Sequence, residues 1–305
     1  MNGILEVEQK YHTPVMLKHI LDYLNLSPGK TIVDATIGTA GHSRAILEKI
    51  LPGGRLIGID RDQESLCIAK ERLQEFGDAC QFIYGNFCNL DDILKSLNIK
   101  RIDGILFDLG VSSFQLENPD RGFSFQYEGP LDMRLDRNSY ISAYDLLNNL
   151  NEEELSAMLW TFGQERWHNR IARLLVKERE KHPIATTLEL SKIVMMAIPH
   201  RYRYRYHRIH PATRTFQAVR IAVNRELETL ETAINKAIGF LNRGARVCVI
   251  SFHSLEDRIA KLIFRQSAFE GKINILTPKP LIPTPAEIED NPSSRSAKLR
   301  VAESL

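Results

Sequence analysis

The chain is predicted to be an α/β protein, in which a parallel β-sheet is covered on both faces by helices and a mostly helical domain is inserted. Short apolar runs typical of buried strands alternate with helical stretches up to Gly110, and this alternation returns after residue 212. Residues 115–211 show no strand pattern and contain several helix starts. We therefore predict a core domain of residues 1–114 and 212–305, and an inserted helical domain of residues 115–211.

The first part of the core domain is predicted to alternate between strands and helices. Thr13 and Pro14 begin the first helix, because Thr caps a helix end and Pro fits the first helical position. Apolar runs predict strands at residues 31–37, 55–60, 81–85 and 102–109. Helices are predicted at residues 13–24, 43–51, 63–76 and 90–97.

Caps and helix breakers predict the remaining elements. Asn151 with Glu154, and Thr186 with Glu189, have the spacing of an N-cap residue and its partner acid, so each pair begins a helix. The elements predicted after the insertion are a long helix at residues 212–241, a strand at 245–252, a helix start at 254–257, a strand at 273–276, a proline-rich connection at 279–292 and a last strand at 297–302. A returning last strand would form an edge hairpin, which a plain dinucleotide-binding fold lacks.

Composition excludes several classes of protein. The chain has 305 residues, 43% hydrophobic and 26% charged, which suits a soluble protein with a sizeable core. The net charge is only +2, so any binding of nucleic acid requires local clustering of basic residues. The four cysteines form no C-x-x-C pair and no His pair has metal-ligand spacing, so we predict no metal site. The sequence shows no signal-peptide pattern and no membrane-spanning run, and we expect a cytoplasmic protein that contacts no membrane.

The turn at residues 38–42 is the strongest candidate for a ligand site. Its small residues let a ligand approach the backbone, and the following helix start offers unpaired N–H groups. Asp60 ends the next strand, where a carboxylate can accept both hydroxyls of a ribose. A tight turn of any α/β protein would also explain the glycines, but in combination with Asp60 the pattern favours a bound nucleoside.

The same turn suits a ligand without phosphates. A nicotinamide cofactor prefers three glycines, G-x-G-x-x-G, around its pyrophosphate. Here the full fingerprint is absent, and His42 and Ser43 occupy the first helical turn. A nucleoside cofactor such as S-adenosyl-L-methionine therefore fits these residues better.

Three further residues are candidates for this pocket. Phe87 follows the third strand, where its ring could stack on adenine, although a core aromatic explains it equally well when taken alone. Asp108 ends the fourth strand, where ligands of parallel sheets bind, and a carboxylate there would suit a cationic sulfonium. A helix cap or loop anchor is the alternative for Asp108. Gln115 is close enough in the chain to join the pocket.

A basic and aromatic run at residues 200–210 favours contact with RNA. It alternates Arg and His with Tyr, and no acid occurs between Glu189 and Glu226. A charge run is often a solvated face, but Arg binds phosphate, and Tyr and His stack on unpaired bases. The residues predicted to contact RNA are Arg134, Arg203, Arg205, His210 and Arg214, with Arg295, Lys298 and Arg300 of the tail as an extension.

The segment at residues 251–257 contains Ser, His and Asp. A hydrolase of this fold type would have the Gly-x-Ser-x-Gly elbow, which is absent. The segment is therefore predicted to be a helix cap rather than a catalytic triad.

Taken together, these motifs resemble the ribosomal RNA small subunit methyltransferase H family over nearly the full chain. The matching segments are residues 12–15, 34–43, 59–62, 103–113, 121–125, 129–134, 210–217, 251–258 and 291–303. The resemblance implies a class I S-adenosylmethionine-dependent methyltransferase fold, which is Rossmann-like, with an inserted helical domain. It implies S-adenosylmethionine as donor. It also implies 16S rRNA of the small ribosomal subunit as partner, methylated at the N4 amine of a cytidine in the decoding region.

The resemblance also implies roles for individual residues. By position, the cofactor contacts of the family fall on Ala40, Gly41, His42, Asp60, Phe87, Asp108 and Gln115. Many members have Gly at the position of Ala40, so a backbone contact there must tolerate a methyl group. The amine of cytosine is a poor nucleophile, and acceptors aimed at its N–H groups would localise its lone pair. By analogy with other amino-methylating enzymes Asp108 is the candidate catalytic residue, although it could instead serve only the cofactor.

The sequence leaves other classes of function open. A non-catalytic RNA-binding or assembly factor would bind RNA but not S-adenosylmethionine. A nicotinamide oxidoreductase would bind a dinucleotide tightly, but the missing third glycine and the returning last strand argue against it. A methyltransferase of small molecules is a weaker rival, because the insertion is basic.

Overall fold

The computed structural model describes residues 14–203 and 210–305. The chain forms two compact units. The first, which we call the sheet unit, consists of the residues up to Ser112 and from Leu227 onward, and the second, the helical unit, is Ser113–Glu226.

A seven-stranded sheet forms the centre of the sheet unit, in the order β3-β2-β1-β4-β5-β7-β6. The strands are β1 (Thr31–Asp34), β2 (Arg55–Asp60), β3 (Cys80–Tyr84), β4 (Ile102–Asp108), β5 (Leu241–Ser251), β6 (Ile273–Ile275) and β7 (Lys298–Ser304). The first five strands pair in parallel, whereas β7 runs antiparallel between β5 and β6. The predicted Rossmann-like α/β sheet is confirmed, including the returning last strand.

The described α-helices belong to both units. In chain order they are α1 (Leu17–Tyr23), α2 (Gly41–Ile50), α3 (Gln63–Arg72), α4 (Leu90–Ser96), α5 (Ser113–Glu117), α6 (Ala143–Asn149), α7 (Glu152–Gly163), α8 (His168–Arg179), α9 (Thr187–Ala197), α10 (His200–Arg203), α11 (Thr213–Asn224), α12 (Glu226–Phe240), α13 (Ser254–Phe269) and α14 (Pro285–Asp290). Short 3-10 helices lie at Gln74–Ala79, Phe87–Asn89, Pro119–Arg121 and Pro292–Ser296. The described helices include none long and apolar enough to cross a bilayer.

The sheet is buried on both faces, as its apolar strands predict. Alternate residues of a strand point to opposite faces, so Val33 and Ile105 pack in one core while Ile32 and Leu106 pack in the other. The first core is completed by α4, α12 and α13, and the second by α1, α2 and α3. The candidate ligand residues Asp60 and Asp108 lie at the ends of β2 and β4 in this doubly covered sheet.

The last part of the chain differs from the prediction in two places. The long helix predicted over residues 212–241 is two helices, α11 and α12, because Arg225 adopts a left-handed conformation with φ 49° between them. The proline-rich connection at residues 279–292 contains α14, which Thr284 caps and in which Pro285 occupies the first position.

The C-terminal boundary of the helical unit is set by the packing of its helices against one another. α11 packs against α7, so the sheet unit resumes at Leu227 rather than at residue 212. Asn151 and Thr186 form the predicted capping boxes of α7 and α9. Within the described part of this unit, β pairing is limited to one isolated bridge between Pro130 and Thr186.

Candidate active site

The turn after β1 is organised by the carboxylate of Asp34, which is buried at the end of that strand. Its Oδ1 accepts the N–H of Thr36 at 3.2 Å, and its Oδ2 accepts the hydroxyl of Ser43 at 2.7 Å. Burial raises the pKa of Asp34 above its usual value, although the Ser43 hydrogen bond acts in the opposite direction. These bonds join the end of β1 to the first turn of α2 and fix the loop between them.

Two residues of this loop have left-handed backbones. Gly38 has φ 49°, which glycine adopts freely, and Ala40, the residue before α2, has φ 69°. Ala40 is fully buried, and an alanine in this region carries a steric cost that glycine avoids. The left-handed backbone at Ala40 therefore explains why glycine would suit this position.

Asp60 connects this turn to the end of β2. Its Oδ2 accepts the N–H of Gly38 at 2.8 Å, and its Oδ1 accepts the N–H of Asp62 at 2.9 Å. Burial raises the pKa of Asp60 to about 6, even though both backbone hydrogen bonds act to lower it. Each carboxylate oxygen can still accept one more hydrogen bond, so the side chain is fixed in place and able to accept ribose hydroxyls.

His42 and Asp108 form a buried pair at the ends of α2 and β4. The Nε2–H of His42 donates to the carbonyl oxygen of Val15 at 2.9 Å, and Nδ1 lies 3.3 Å from Oδ2 of Asp108. Burial lowers the pKa of His42, but the hydrogen bond and the charge of Asp108 outweigh it and raise that pKa above its usual value. Because Nε2 faces a carbonyl, which only accepts, the contact to Asp108 requires a proton held between the two side chains.

The other carboxylate oxygen of Asp108 shows that a ligand fits here. The N–H of Asp108 donates to the hydroxyl of Thr36 at 2.7 Å, which ties β4 to the turn after β1. Its Oδ1 is buried and has no hydrogen-bond partner among the described residues. Leaving such an acceptor unpaired costs about 1–3 kcal/mol or more, so a ligand that donates a hydrogen bond or carries positive charge would suit this position.

Phe87 lies in the loop that follows β3. Gly85 of this loop donates its N–H to the carbonyl oxygen of Asp60 at 2.9 Å, so the loop adjoins the end of β2. The ring of Phe87 packs edge-on against Phe107 in the core, with centroids 5.7 Å apart. This contact supports a core role, and stacking on adenine stays a prediction.

The remaining cofactor candidates, Gly41 and Gln115, belong to different units of the chain. Gly41 begins α2, and a Cβ there would lie 3.1 Å from the ring of Pro14, so a larger residue would crowd the helix start. Gln115 belongs to the helical unit, where it is buried in α5. Its role toward a cofactor also stays a prediction.

Among the predicted RNA contacts, Arg134 has a structural role that sequence reasoning missed. Its Nε and Nη2 donate to the two carboxylate oxygens of Asp132 at 2.7 and 2.8 Å. Its Nη1 donates to the carbonyl oxygen of Ser139 at 2.7 Å. Arg134 therefore holds its own loop together, and its contact with RNA remains a prediction.

The other predicted RNA residues lie in or near α10 and α11. His210 stacks on Phe125 with ring centroids 4.5 Å apart, and burial lowers its pKa. Arg214 is partly exposed and donates to the carbonyl oxygen of Gln164 at 3.1 Å. Arg203 ends α10, whereas its side chain and the whole of Arg205 lie outside the described residues.

In the tail, the structure alters the predicted extension of the RNA surface. Arg300 is buried and its Nε donates to Asp257 at 2.6 Å, which leaves it no access to RNA. Lys298 lies 3.6 Å from the same carboxylate. The segment before Asp257 is the predicted helix cap, since His253 caps α13 in a capping box with Glu256.

Sequence reasoning missed two sets of residues. Asp34 ends an apolar strand as Asp60 does, and that shared pattern would have identified it. The second set comprises Arg166, Trp167 and Arg170 near the start of α8, which lie against Tyr202 and Arg201 in space. A tryptophan with one arginine directly before it and another three residues after it was the available signal.

The sheet order and the three strand-end carboxylates, Asp34, Asp60 and Asp108, around a small-residue turn define a nucleoside-binding protein of the Rossmann-like methyltransferase class. The model of the MraW methylase family matches residues 9–305, and the chain belongs to that family.

Full-length relatives agree with this assignment. The ribosomal RNA small subunit methyltransferase H of Trichlorobacter lovleyi is 47% identical, over 98% of this chain and 100% of that protein. The protein of the same name from Thermotoga neapolitana is 50% identical, over 96% of each chain. That from Halothermothrix orenii is 46% identical, over 96% of this chain and 98% of its own. The resemblance inferred from the sequence motifs is confirmed.

Proposed function

We propose that the protein is an S-adenosylmethionine-dependent methyltransferase that methylates the N4 amine of a cytidine in the decoding region of 16S rRNA. The observation that carries the proposal is the buried, unpartnered Oδ1 of Asp108 beside the turn after β1. The family supports methyl transfer. The names of the full-length relatives support rRNA of the small subunit as the substrate.

Several residues of the sheet unit would hold the donor. Asp60, oriented by two backbone N–H groups, would accept the ribose hydroxyls. The turn at residues 38–42 would lie against the amino-acid end of the donor, and Asp108 would face its positive charge. S-adenosylmethionine supplies a methyl group on a positively charged sulfur.

Asp108 would also act on the substrate. Its Oδ1 would accept an N–H of the cytosine amine, which localises the nitrogen lone pair and stabilises the positive charge that develops there. His42 holds the other oxygen, Oδ2, so the carboxylate cannot rotate away. After transfer, the surplus proton of the amine would pass to Oδ1. The target base would have to leave its stack to reach this carboxylate.

The proposal is tested by methyl transfer from labelled S-adenosylmethionine. The substrate is small ribosomal subunits that lack the modification, with free 16S rRNA alongside, and the digested RNA is examined by nucleoside mass spectrometry. We expect one N4-methylated cytidine in the decoding region, and more transfer to subunits than to free RNA. No transfer to either substrate would overturn the proposal and favour a binding role.

A further inference from the structure

The start of α8 and the helix α10 meet in a group of side chains that we call the arginine–aromatic cluster: Arg166, Trp167, Arg170, Arg201 and Tyr202. The rings of Trp167 and Tyr202 have centroids 5.2 Å apart and planes inclined by 46°. The guanidinium of Arg166 lies over both rings, at 5.2 Å from the Trp167 centroid and 5.5 Å from that of Tyr202. Arg170 lies 6.0 Å from Trp167, and Arg201 lies 4.8 Å from Tyr202.

Among the residues that the structure describes, no acid pairs with the positive charge of the cluster. The three arginines are exposed, and none forms an ion pair within residues 14–203 and 210–305. The nearest acid in sequence, Glu165, is buried and turned to the backbone, where it accepts the N–H of Trp167 at 2.8 Å. Three like charges around two rings repel one another, so the arrangement favours an anionic ligand.

Guanidiniums placed over aromatic rings are well suited to bind phosphate. The guanidinium carbons of Arg166, Arg170 and Arg201 lie 5.2, 6.0 and 4.8 Å from ring centroids, and an arginine held over a ring can still donate its N–H groups. A fork of parallel N–H groups matches two oxygens of a phosphate. Because the rings limit the motion of these side chains, less conformational freedom is lost when the phosphate binds.

An exposed aromatic ring adjoins the cluster. Trp160 of α7 is 58% exposed, and its ring centroid lies 5.1 Å from that of His168, the residue after Trp167. The hydroxyl of Ser156 lies 2.7 Å from Nδ1 of His168 and steadies that ring. A flat, exposed indole beside cations is the arrangement that stacks unpaired bases in single-stranded nucleic acids.

We propose that the arginine–aromatic cluster, with Trp160, is a binding site for single-stranded RNA. Its arginines pair with backbone phosphates and Trp160 stacks on an unpaired base. The inference rests on the proposed function in taking RNA as the substrate. It adds a site at α7 and the start of α8 to the RNA residues that the sequence indicated.

The test uses the full chain and a fluorescent single-stranded RNA oligonucleotide of decoding-region sequence, with the same sequence as a duplex for comparison. We expect the Arg166→Gln, Arg170→Gln double variant to bind the single strand at least about tenfold more weakly. The slope of log K against log salt should fall by about 1.4, since each lost phosphate contact on a single strand removes about 0.7.

The matched control is Arg173→Gln, on the same helix. Arg173 is 75% exposed and lies 3.4 Å from Glu152, so the variant removes an equivalent surface charge outside the cluster. We expect it to change RNA affinity less than twofold. Trp160→Ala should weaken RNA binding at least about fivefold without changing the salt slope. Trp160→Phe, which keeps an aromatic ring, should retain most of the affinity of the parent protein.

Two results would overturn the proposal: a double variant that binds RNA like the parent with an unchanged salt slope, or a loss as large in Arg173→Gln. Affinity for S-adenosylmethionine and circular dichroism, both unchanged, show that the variants fold. If the RNA-binding test rejects the cluster while the parent protein methylates subunits normally, the proposed function stays intact. Cluster-dependent RNA binding by a chain that transfers no methyl group would reject the proposed function alone.

Discussion

The side chains of His42 and Asp108 work as one unit. Val15 fixes the orientation of the His42 ring, because its carbonyl oxygen must receive the Nε2 proton. The ring therefore presents Nδ1 to Asp108, and the carboxylate is held by one oxygen while the other stays available. A change at either residue would therefore alter both the orientation and the charge of the Asp108 carboxylate.

Asp108→Asn tests which ligand this carboxylate serves. The amide keeps the size of the side chain but loses the charge and, in one of its two orientations, the acceptor. We expect kcat for methyl transfer to fall by about 100- to 1,000-fold, as for loss of one transition-state hydrogen bond. Single-turnover transfer to subunits measures the rate, and calorimetry measures affinity for S-adenosylmethionine.

The controls for this variant separate the two roles. Asp92→Asn, an exposed change in α4, should leave both quantities unchanged. If Asp108→Asn weakens S-adenosylmethionine binding but transfers at the normal rate when saturated, Asp108 serves only the cofactor. Full turnover together with normal affinity would reject both roles.

Asp60 predicts a pH dependence of cofactor affinity. Its pKa is raised to about 6, so below that pH the carboxyl of the free protein is increasingly protonated. Ribose hydroxyls donate best to the ionised form, so binding should release a proton and affinity should fall as pH drops through about 6. Calorimetry between pH 5 and 8, in two buffers of different ionisation enthalpy, measures both effects.

Asp60→Asn isolates this residue from His42, whose pKa is also raised. We expect the variant to bind more weakly at pH 8 and to lose the step near pH 6. If the step persists in Asp60→Asn, another group causes it and the ribose contact assigned to Asp60 is wrong.

Among the elements, β2 and the turn after β1 depend on each other through Gly58. A Cβ on Gly58 would lie 2.2 Å from Cδ1 and 3.2 Å from Cβ of Ile37, a buried residue of the turn. Glycine in a strand interior often marks such a close approach. Gly58 therefore sets how closely the turn lies over the strand that carries Asp60.

Gly58→Ala should displace the turn without touching a ligand. We expect a loss of about 1–3 kcal/mol in the free energy of unfolding, as for an overpacked core, and weaker S-adenosylmethionine binding. Ile37→Val removes Cδ1, so the double variant Gly58→Ala, Ile37→Val should recover much of both losses. Chemical denaturation and calorimetry measure the four proteins of this cycle. Strictly additive effects would show that the two residues do not meet as described.

The elements also show what local sequence can predict. Strand ends such as Asp60 and Asp108 were predictable, because an apolar run ending in an acid is a local pattern. The break between α11 and α12 was not, because Arg225 has no intrinsic preference for a left-handed backbone and packing imposes it. The hydrogen bond from Asp108 to Thr36 was hidden for a similar reason, since its partners are 72 residues apart.

For the whole molecule, basic and acidic residues are concentrated in different segments of the chain. The net charge is only +2, yet residues 190–225 carry eight Lys or Arg residues and no acid. In the sheet unit, by contrast, the acids Asp34, Asp60 and Asp108 contact the turn at residues 38–42 or the start of α2 that follows it. RNA is a polyanion whereas the donor is cationic at sulfur, so salt should act on the two binding steps very differently.

We therefore expect RNA affinity to fall steeply between 50 and 200 mM salt, the fall growing with the number of phosphates contacted. Affinity for S-adenosylmethionine should change less than about twofold over the same range, because Asp60 and Asp108, which would contact it, are partly buried. Arg214→Gln should reduce the RNA salt slope by about 0.7 and leave S-adenosylmethionine binding intact, while Arg173→Gln serves as its control. Because the chain as a whole is almost neutral, a steep slope can come only from a local basic surface. A shallow slope in the parent protein would mean that RNA is held mainly by uncharged contacts, and the basic run would then lose its assigned role.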